Sequence, residues 1–322
     1  MPGYLTRGVW HAGRLNQNTA EGNFIRADSQ FRSWVAQNSE SPFRAEVGRY
    51  HLYLSYACPW AHRLLIARVL LQLQDAISIS IVHPVSGDHG WCFDDYPGVI
   101  PDSEYGFENI YQLYLKSNPN YSGLATVPIL WDKQTETIVN NESSEILRMM
   151  AVNLRSISPS DLNLFPEDLK EEIERIEEYT YSEINNRVYQ CGFASTQDAY
   201  ILAVTKLFAA LDCLEEHLTK TPYLVGNTIT EADIRLFPTL VRFDPVYFIH
   251  FKCSIKRISD YPALSRYMNQ IRSIPGIEET INIDHIKRHY YLSHPHLNPS
   301  GIIPLTQTIT NHITNNETFR PI

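Results

Sequence analysis

A strand–helix–strand pattern at residues 50–84 constrains the fold more than any other part of the sequence. Residues 50–56, YHLYLSY, alternate apolar and polar side chains as a half-buried strand does. The next run, PWAHRLLIARVLLQL, has apolar residues at helical spacing, and its first residue, Pro59, suits an opening helical turn. AISISIVHP (76–84) then predicts a second strand. This spacing predicts a parallel strand pair joined by a right-handed crossover.

The remainder of the first half predicts an insertion followed by a hairpin and a helix. Residues 84–122 are rich in Gly, Pro, Asp and Tyr, and we interpret them as a loop-rich insertion. ATVPILWDKQTETIVNNESSEILRMM predicts strands at 126–131 and 137–139, separated by a short polar turn and followed by a helix. The full pattern is therefore β-α-β, insertion, β-β-α.

The second half predicts helices. Its apolar residues recur with a period near 3.6, and Thr230 with Asp233 form a T-x-x-D capping box. We predict an α/β domain followed by an all-α domain, with a polar end at 305–318 that is loosely ordered. The predicted parts are an extension draped over a domain (1–45), an α/β domain (46–155), a linker (156–168), an all-helical domain (169–292) and a C-terminal tail (293–322).

Charge and cysteine usage argue against several functions. The net charge of −9 disfavours a general nucleic-acid or anionic-membrane binder. No apolar run approaches the roughly 18 residues needed to span a bilayer. The five cysteines are scattered without a CxxC pair, which indicates neither a disulfide framework nor a zinc site. Because the first residues also lack the apolar core of a secretory signal, we predict a cytoplasmic protein.

Cys58, in YACPWAHR, lies between the first predicted strand and helix. There its sulfur would lie over the first helical N–H groups, which favour an anion and lower a thiol pKa. An ordinary thiol is only about 3% thiolate at pH 7, and a pKa lowered by about 2.5 units makes the thiolate dominant. The alternative is a buried structural cysteine, as we expect for Cys191, Cys213 and Cys253. Position 61 is Ala, where a dithiol motif would have its second cysteine.

The Val127–Pro128 pair interrupts an otherwise regular strand pattern. Proline removes a donor from the strand ladder. One explanation is a cis peptide bond at the start of a strand, which leaves the preceding backbone groups able to bind a peptide-like ligand. The other is a proline on an edge strand.

Glu142 and Ser143, in NNESSEIL, lie where a predicted helix begins. Such a position suits an α-amino acid group, with Ser143 binding its carboxylate and Glu142 its ammonium. The alternative is an ordinary N-cap with an acidic first turn. Together with the cysteine and the Val-Pro backbone, this pair matches the thiol, peptide and zwitterionic end of a γ-glutamyl tripeptide.

Several longer strings resemble one known family. These are YACPWAHR, GDHGWCF, TVPILWDKQTETIVNNESSEILRM, TEADIRLFPTLVRFDPVY and DHIKRHYYLSHPHLNPSGI. They are similar to the glutathionyl-hydroquinone reductases, the Xi class of glutathione transferases, over residues 40–304. The resemblance implies a thioredoxin-like N-terminal domain, an all-helical C-terminal glutathione-transferase domain and a homodimer formed through the helical domains.

The resemblance also implies roles for individual residues. Cys58 would be the nucleophile, and Tyr189 with Tyr291 would line the quinone pocket, although the pattern does not separate Tyr291 from its neighbour Tyr290. Glutathione, as co-substrate, would be bound by Trp91, Val127, Pro128, Glu142 and Ser143. Aromatic residues in such positions more often pack in a core, so the tyrosines and Trp91 depend on the family context.

Two positions depart from the family pattern, and one histidine group raises a metal alternative. Leu124 stands where a basic glutathione contact is common, and Arg187 stands where Gly is common, which would reshape the quinone pocket. His285, His289, His294 and His296 follow a predicted helix end without a partner Cys, so we predict no metal site.

The predicted reaction reduces a glutathionyl-hydroquinone. A Cys58 thiolate attacks the thioether sulfur, the hydroquinone leaves, and a second glutathione resolves the resulting mixed disulfide. One alternative is a conjugating or dehalogenating glutathione transferase. The other is a non-catalytic interaction module with the same fold.

Overall fold

The computed structural model describes residues 3–36 and 41–305. The strands of this part of the chain are β1 (Tyr4–Thr6), β2 (Val9–His11), β3 (Tyr50–Leu54), β4 (Ile77–Ile81), β5 (Gly123–Leu124), β6 (Ile129–Asp132) and β7 (Thr137–Asn140). Its α-helices are α1 (Pro59–Leu70), α2 (Tyr111–Ser117), α3 (Ser143–Arg148), α4 (Lys170–Thr180), α5 (Arg187–Phe193), α6 (Gln197–Lys220), α7 (Glu231–Arg242), α8 (Phe248–His250), α9 (Pro262–Arg272) and α10 (Ile283–Ser293).

A four-stranded mixed sheet forms the centre of the first domain, in the order β4-β3-β6-β7. β3 pairs in parallel with β4, and β6 runs antiparallel to both β3 and β7. The predicted crossover and hairpin are therefore confirmed. All five residues of β3 are buried, whereas the alternation in the sequence predicted a strand with one exposed face. Part of the difference arises because the insertion covers Tyr53, which contacts Phe93 and donates to Asp102.

The N-terminal extension contributes secondary structure of its own. β1 lies between β2 and β5, and all three strands are antiparallel. At β5, Gly123 has φ +150°, and a Cβ atom there would lie 2.7 Å from the Gln30 side chain. This glycine therefore lets the extension pack closely on the first domain. Farther along, the extension also reaches the helical domain, where Asn18 Nδ2 donates to Phe193 O at 2.8 Å.

The second domain is built from α4 to α10, with short π-helical segments continuing α4 and α7. The predicted capping box at Thr230 and Asp233 is confirmed at the start of α7. α7 packs against α1 of the first domain, so the two domains meet along these helices. Asp233 also accepts hydrogen bonds from Leu224 N and Tyr267 Oη, which ties α7 to α9.

The insertion and helix α10 differ from the sequence expectations, and the C-terminal end lies largely outside the described residues. The insertion contains helix α2, which the prediction missed because this seven-residue helix buries only Leu113 and Tyr114. His285 and His289 lie inside α10, and not after a helix end as predicted. The expectation of a loosely ordered end at 305–318 lies, beyond residue 305, outside the described residues.

Candidate active site

A cavity of about 270 Å³ lies where the two domains and the N-terminal extension meet. The first domain contributes every ligand-binding residue predicted for it, namely Cys58, Trp91, Val127, Pro128, Glu142 and Ser143. The helical domain contributes Tyr181, Tyr189, Phe193, His289, Tyr290 and His294. The extension contributes Arg14, Leu15, Gln17, Phe24, Arg26, Ala27, Asp28, Ser29 and Gln30. Motifs that are far apart in the sequence therefore meet in one cavity.

Cys58 is the N-cap residue of α1, with extended backbone angles, and Pro59 opens the helix as predicted. The thiol is 8% exposed, and its S–H donates to the Val127 carbonyl oxygen at 3.6 Å. The backbone N–H groups of Trp60 and Ala61 lie close enough to lower the pKa of the thiol, although the sulfur accepts no capping hydrogen bond. The predicted position over the first helical N–H groups is therefore present.

The pKa of the Cys58 thiol differs from the sequence expectation. Burial raises this pKa above the ordinary value of a thiol, although the helical N–H groups and the charges of Arg242 and Arg26 oppose the increase. The expectation of a lowered pKa is thus wrong. The sequence shows that Cys58 lies at a helix start, which lowers a thiol pKa, but it does not show that the sulfur is buried away from water, which raises the pKa more strongly.

The peptide bond between Val127 and Pro128 is cis. β6 begins directly after it and lies between β3 and β7, so Pro128 does not belong to an edge strand. The cis peptide bond at the start of a strand, the first of the two explanations, is confirmed. The Val127 backbone lines the cavity next to Cys58, with its carbonyl oxygen accepting from the thiol.

Glu142 and Ser143 lie at the start of α3 and also line the cavity. Glu142 is an N-cap, because its Oε1 accepts from Ser144 N at 3.2 Å. Its other carboxylate oxygen accepts from Ser29 Oγ, also at 3.2 Å. Ser143 Oγ accepts from Arg63 at 3.2 Å. The capping role is therefore present, and it leaves the carboxylate at the cavity surface.

Tyr189 and Tyr290, and not Tyr291, are the tyrosines that meet at the cavity. Their hydroxyl oxygens lie 2.7 Å apart, and the Tyr290 hydroxyl also lies 3.0 Å from that of Tyr247. The Tyr291 hydroxyl instead donates to Pro245 O at 3.1 Å, away from the cavity. The assignment of Tyr291 is corrected on this point. Neighbouring residues on a helix point about 100° apart, and in α10 His289 and Tyr290 line the cavity while the Tyr291 hydroxyl points to Pro245.

Arg26 of the extension forms part of the cavity wall, which sequence reasoning missed. Its guanidinium carbon lies 4.8 Å from the Trp60 ring centroid and 4.6 Å from that of Tyr189. Its Nε donates to Asn186 Oδ1 at 3.1 Å. Because these contacts join the extension to both domains, no local sequence signal marks Arg26. Its charge lowers the pKa of Tyr189, although burial raises that pKa more strongly.

Trp91 and His289 line the cavity next to each other. The two rings stack with centroids 4.6 Å apart and planes 19° apart. His289 Nδ1 must donate to Pro84 O, 3.0 Å away, since a carbonyl only accepts. Burial lowers the pKa of His289 to about 3, so the ring is neutral at physiological pH. Trp91 therefore reaches the cavity, as predicted, against a partner that the sequence did not suggest.

The two departures from the family pattern lie in different places. Leu124 lines the cavity and belongs to β5, where its backbone pairs with Tyr4. Arg187 does not line the cavity, and its guanidinium binds Glu183 at 2.7 Å and Gln190 at 2.5 Å. The expectation that Arg187 reshapes the quinone pocket is therefore wrong in so far as it requires the Arg187 side chain to contact the cavity.

The described residues, 3–36 and 41–305, contain neither a metal-binding cluster nor a membrane-spanning helix. Within these ranges, His, Cys, Asp and Glu side chains form no group of three or more suited to a metal ion. Within the same ranges, no helix combines the length and apolarity that crossing a membrane requires.

The fold and the site define a glutathione S-transferase with a cysteine at the start of its first helix. Residues 57–152 match the family model of the glutathione S-transferase N-terminal domain, and residues 171–270 match that of the C-terminal domain. The chain belongs to the glutathionyl-hydroquinone reductases, the Xi class of these transferases.

Individual relatives are similar over nearly the whole chain. The glutathionyl-hydroquinone reductase PcpF of Sphingobium chlorophenolicum is 47% identical, over 94% of this chain and 96% of its own. The Xi transferase structure from Phanerochaete chrysosporium is 47% identical, with a TM-score of 0.87 over 90% of this chain and 94% of that one. The glutathione-bound structure of Escherichia coli YqjG is 46% identical, with a TM-score of 0.86 over 94% of this chain and 95% of that one.

Proposed function

We propose that this protein reduces glutathionyl-hydroquinones to hydroquinones with Cys58 as the nucleophile and glutathione as the co-substrate. The observation that carries the proposal is the meeting of Cys58, the Val127 backbone and the tyrosine pair Tyr189–Tyr290 in one cavity. The relatives named glutathionyl-hydroquinone reductase support the same substrate class.

The first-domain side of the cavity suits glutathione. Among described residues, nothing accepts a hydrogen bond from the Val127 N–H, which leaves this donor for the tripeptide backbone. Glu142 presents a carboxylate for the ammonium of the γ-glutamyl end, and Ser143 a hydroxyl for its carboxylate. Trp91 contributes an apolar surface beside them. Glutathione is bound by YqjG, whose fold this chain shares.

The reaction follows from the position of the thiol between the two halves of the cavity. The Cys58 thiolate attacks the thioether sulfur and forms a disulfide with glutathione, while the carbon–sulfur bond to the aromatic ring breaks. The ring carbon keeps the electron pair and takes a proton from Tyr290 or Tyr189. The thiolate of a second glutathione then attacks the mixed disulfide, releasing oxidised glutathione and the Cys58 thiolate.

The tyrosines suit the acid role because burial raises the pKa of both Tyr189 and Tyr290, so both hydroxyls stay protonated at neutral pH. Burial likewise raises the pKa of Cys58, so the thiolate must form as the substrate binds or as a proton leaves in the attack. The cysteine needs no second protein thiol, since residue 61 is Ala and glutathione supplies the resolving thiol.

A conjugating or dehalogenating transferase is the nearest alternative. Conjugation uses the thiolate of glutathione itself, steadied by a hydroxyl donor, and a cysteine at that position competes poorly for the role. A non-catalytic interaction module would have no need for the preserved Cys, Val-Pro and Glu-Ser set. Comparing conjugation of a chlorinated nitrobenzene with reduction of a glutathionyl quinone separates these functions.

The test of the proposal compares Cys58→Ser with Cys213→Ser, because Cys213 is exposed, contrary to the burial expected from the sequence, and lies outside the cavity. Glutathione-dependent reduction of a glutathionyl-hydroquinone is expected to be lost in Cys58→Ser and unchanged in Cys213→Ser. Full activity of Cys58→Ser would contradict the role of Cys58 as the nucleophile.

A homodimer and a cytoplasmic location remain predictions from the sequence. The dimer is supported by exposed apolar side chains on α6 of the helical domain, where Ile201 is 50% exposed and Leu202 is 52% exposed. Light scattering coupled to size-exclusion chromatography tests it. A monomer at micromolar concentration would contradict the prediction.

A further inference from the structure

Arg242, at the end of α7, is fully buried beneath the turn that carries Cys58. Its Nε donates to Ala57 O at 3.0 Å, and its Nη2 donates to Tyr56 O at 2.7 Å. These are the two carbonyl groups directly before the cysteine. A side chain of the helical domain therefore holds the backbone that places Cys58 in the first domain.

The remaining contacts of Arg242 are also neutral. Its Nη1 donates to Pro238 O at 2.8 Å and to His62 Nδ1 at 3.0 Å. Arginine only donates, so Nδ1 accepts, and the proton of His62 lies on Nε2, which donates to Thr280 at 2.8 Å. Burial, with the charge of Arg242, lowers the pKa of His62 well below its ordinary value, which keeps the ring neutral.

Three arginines of the described residues are buried, Arg49, Arg63 and Arg242, and of these only Arg49 forms an ion pair. Arg49 forms a bidentate ion pair with Asp132, in which Nε donates to Oδ1 and Nη2 donates to Oδ2, both at 2.7 Å. Arg63 donates to Ser143 Oγ at 3.2 Å and to Arg235 O at 3.1 Å, and burial lowers its pKa to about 9, although the charge of Glu142 opposes this decrease. Arg242 has no carboxylate partner among the described residues. A buried cation without a counter-ion is costly, so this one needs a reason.

Two of the groups near Arg242 that can become negative, Cys58 and Tyr290, line the cavity, and a third, Tyr247, is hydrogen-bonded to Tyr290. The charge of Arg242 lowers the pKa of Cys58 and also those of Tyr247 and Tyr290, in each case against a larger effect of burial. The other charged or titratable groups that act on Cys58 or are acted on by it are Arg26 of the extension and Tyr189 of α5. Arg26 is partly exposed and lies over aromatic rings, so Arg242 is the cation that water screens least.

We propose that Arg242 is a positioning residue of the Cys58 site: it fixes the Tyr56–Ala57 turn and supplies the buried positive charge whose counter-ion is the Cys58 thiolate. In the structure the thiol donates to Val127 O, and Arg242 has no carboxylate partner among the described residues. When the thiol loses its proton, the two charges complete a buried pair. The inference rests on the proposed function only in taking Cys58 as the reactive group.

The test measures the pH dependence of Cys58 alkylation by iodoacetamide, followed on the Cys58 peptide by mass spectrometry. The variants are Arg242→Gln, which removes the charge, and Arg242→Lys, which keeps it. The matched control is Arg266→Gln, an exposed arginine in the same domain that donates to the Leu218 and Thr221 carbonyl groups. Circular dichroism and thermal unfolding establish that each variant is folded.

The apparent pKa of Cys58 is expected to rise by about one unit or more in Arg242→Gln and to stay within about half a unit of wild type in Arg242→Lys and Arg266→Gln. A folded Arg242→Gln with the wild-type pKa would overturn the proposal. If that variant does not fold, Arg242→Lys decides, because a shift of about one unit with the charge retained contradicts the electrostatic role.

Alkylation reports on Cys58 itself and does not require turnover of a quinone. If Cys58→Ser keeps reducing glutathionyl-hydroquinones, the proposed function fails while the effect of Arg242 on the thiol can still be measured. If turnover needs Cys58 but the alkylation pKa ignores Arg242, only the inference about Arg242 fails.

Discussion

Tyr290 and Tyr291 are neighbours on α10 that face different surroundings, and this difference gives a sharp test of the cavity. Tyr290 lies 1% exposed and Tyr291 3% exposed, so both phenol rings are core residues. Replacing either with Phe keeps the ring and removes only the hydroxyl. Any difference between the two variants then reports where each hydroxyl points.

The stability costs of the two changes are similar. Tyr290→Phe removes hydrogen bonds of 2.7 Å to Tyr189 and 3.0 Å to Tyr247, a loss of about 1–3 kcal/mol at about 0.5–1.5 kcal/mol each. Tyr291→Phe removes one bond of 3.1 Å to Pro245 O, a loss of about 1 kcal/mol. Activity, and not stability, must therefore separate them.

Activity is measured as oxidised glutathione released from a glutathionyl-hydroquinone, coupled to glutathione reductase. A positioned acid contributes about 10²–10⁴-fold, and Tyr189 remains in the variant, so we expect kcat of Tyr290→Phe to fall about 10- to 100-fold. The kcat of Tyr291→Phe should stay within about threefold of wild type, because the Tyr291 hydroxyl lies outside the cavity and cannot protonate the substrate. Equal losses in the two variants, at matched folding, would refute the placement of the tyrosines.

Two further predictions concern other parts of the chain. Burial, and then the charge of Glu231, raise the pKa of Glu177 to about 8 from an ordinary 4.5. The folded chain thus keeps a proton that the unfolded chain releases, and stability falls as pH rises between these values. The Tm of Glu177→Gln should therefore gain on wild type as pH rises towards 8, and a constant difference, as expected for the exposed Glu174→Gln, would contradict this. Arg26→Ala removes the cation over Trp60, so KM for the aromatic substrate should rise about fivefold, for a contact of roughly 1 kcal/mol, and an unchanged KM would argue against Arg26 as a cavity wall.

The parts of the molecule that the sequence predicted share local signals. The β3-α1-β4 crossover has strand and helix periodicities in immediate succession, Pro59 has the backbone angle of a first helical turn, and the capping box of α7 spans four residues. Val127–Pro128 was marked as unusual because proline cannot donate within a strand. Each of these features depends on neighbours in the sequence.

The parts that the sequence did not predict depend on distant contacts. Arg26 reaches the cavity through hydrogen bonds and ring contacts to the helical domain, and nothing near it in the sequence indicates them. The sequence does not separate Tyr290 from Tyr291, because a dipeptide does not show which of its residues faces the cavity. Arg242 did carry a signal, as a charged residue four positions after Pro238 on the buried face of α7, and only the structure shows what it contacts.

The central claim is that Cys58 forms a mixed disulfide with glutathione. The most direct measurement is the intact mass of the protein after incubation with oxidised glutathione, followed by peptide mapping. We expect one glutathione adduct on Cys58. It should be absent from Cys58→Ser and be released by reduced glutathione. An adduct found only on the exposed Cys213, with Cys58 unmodified, would contradict this claim.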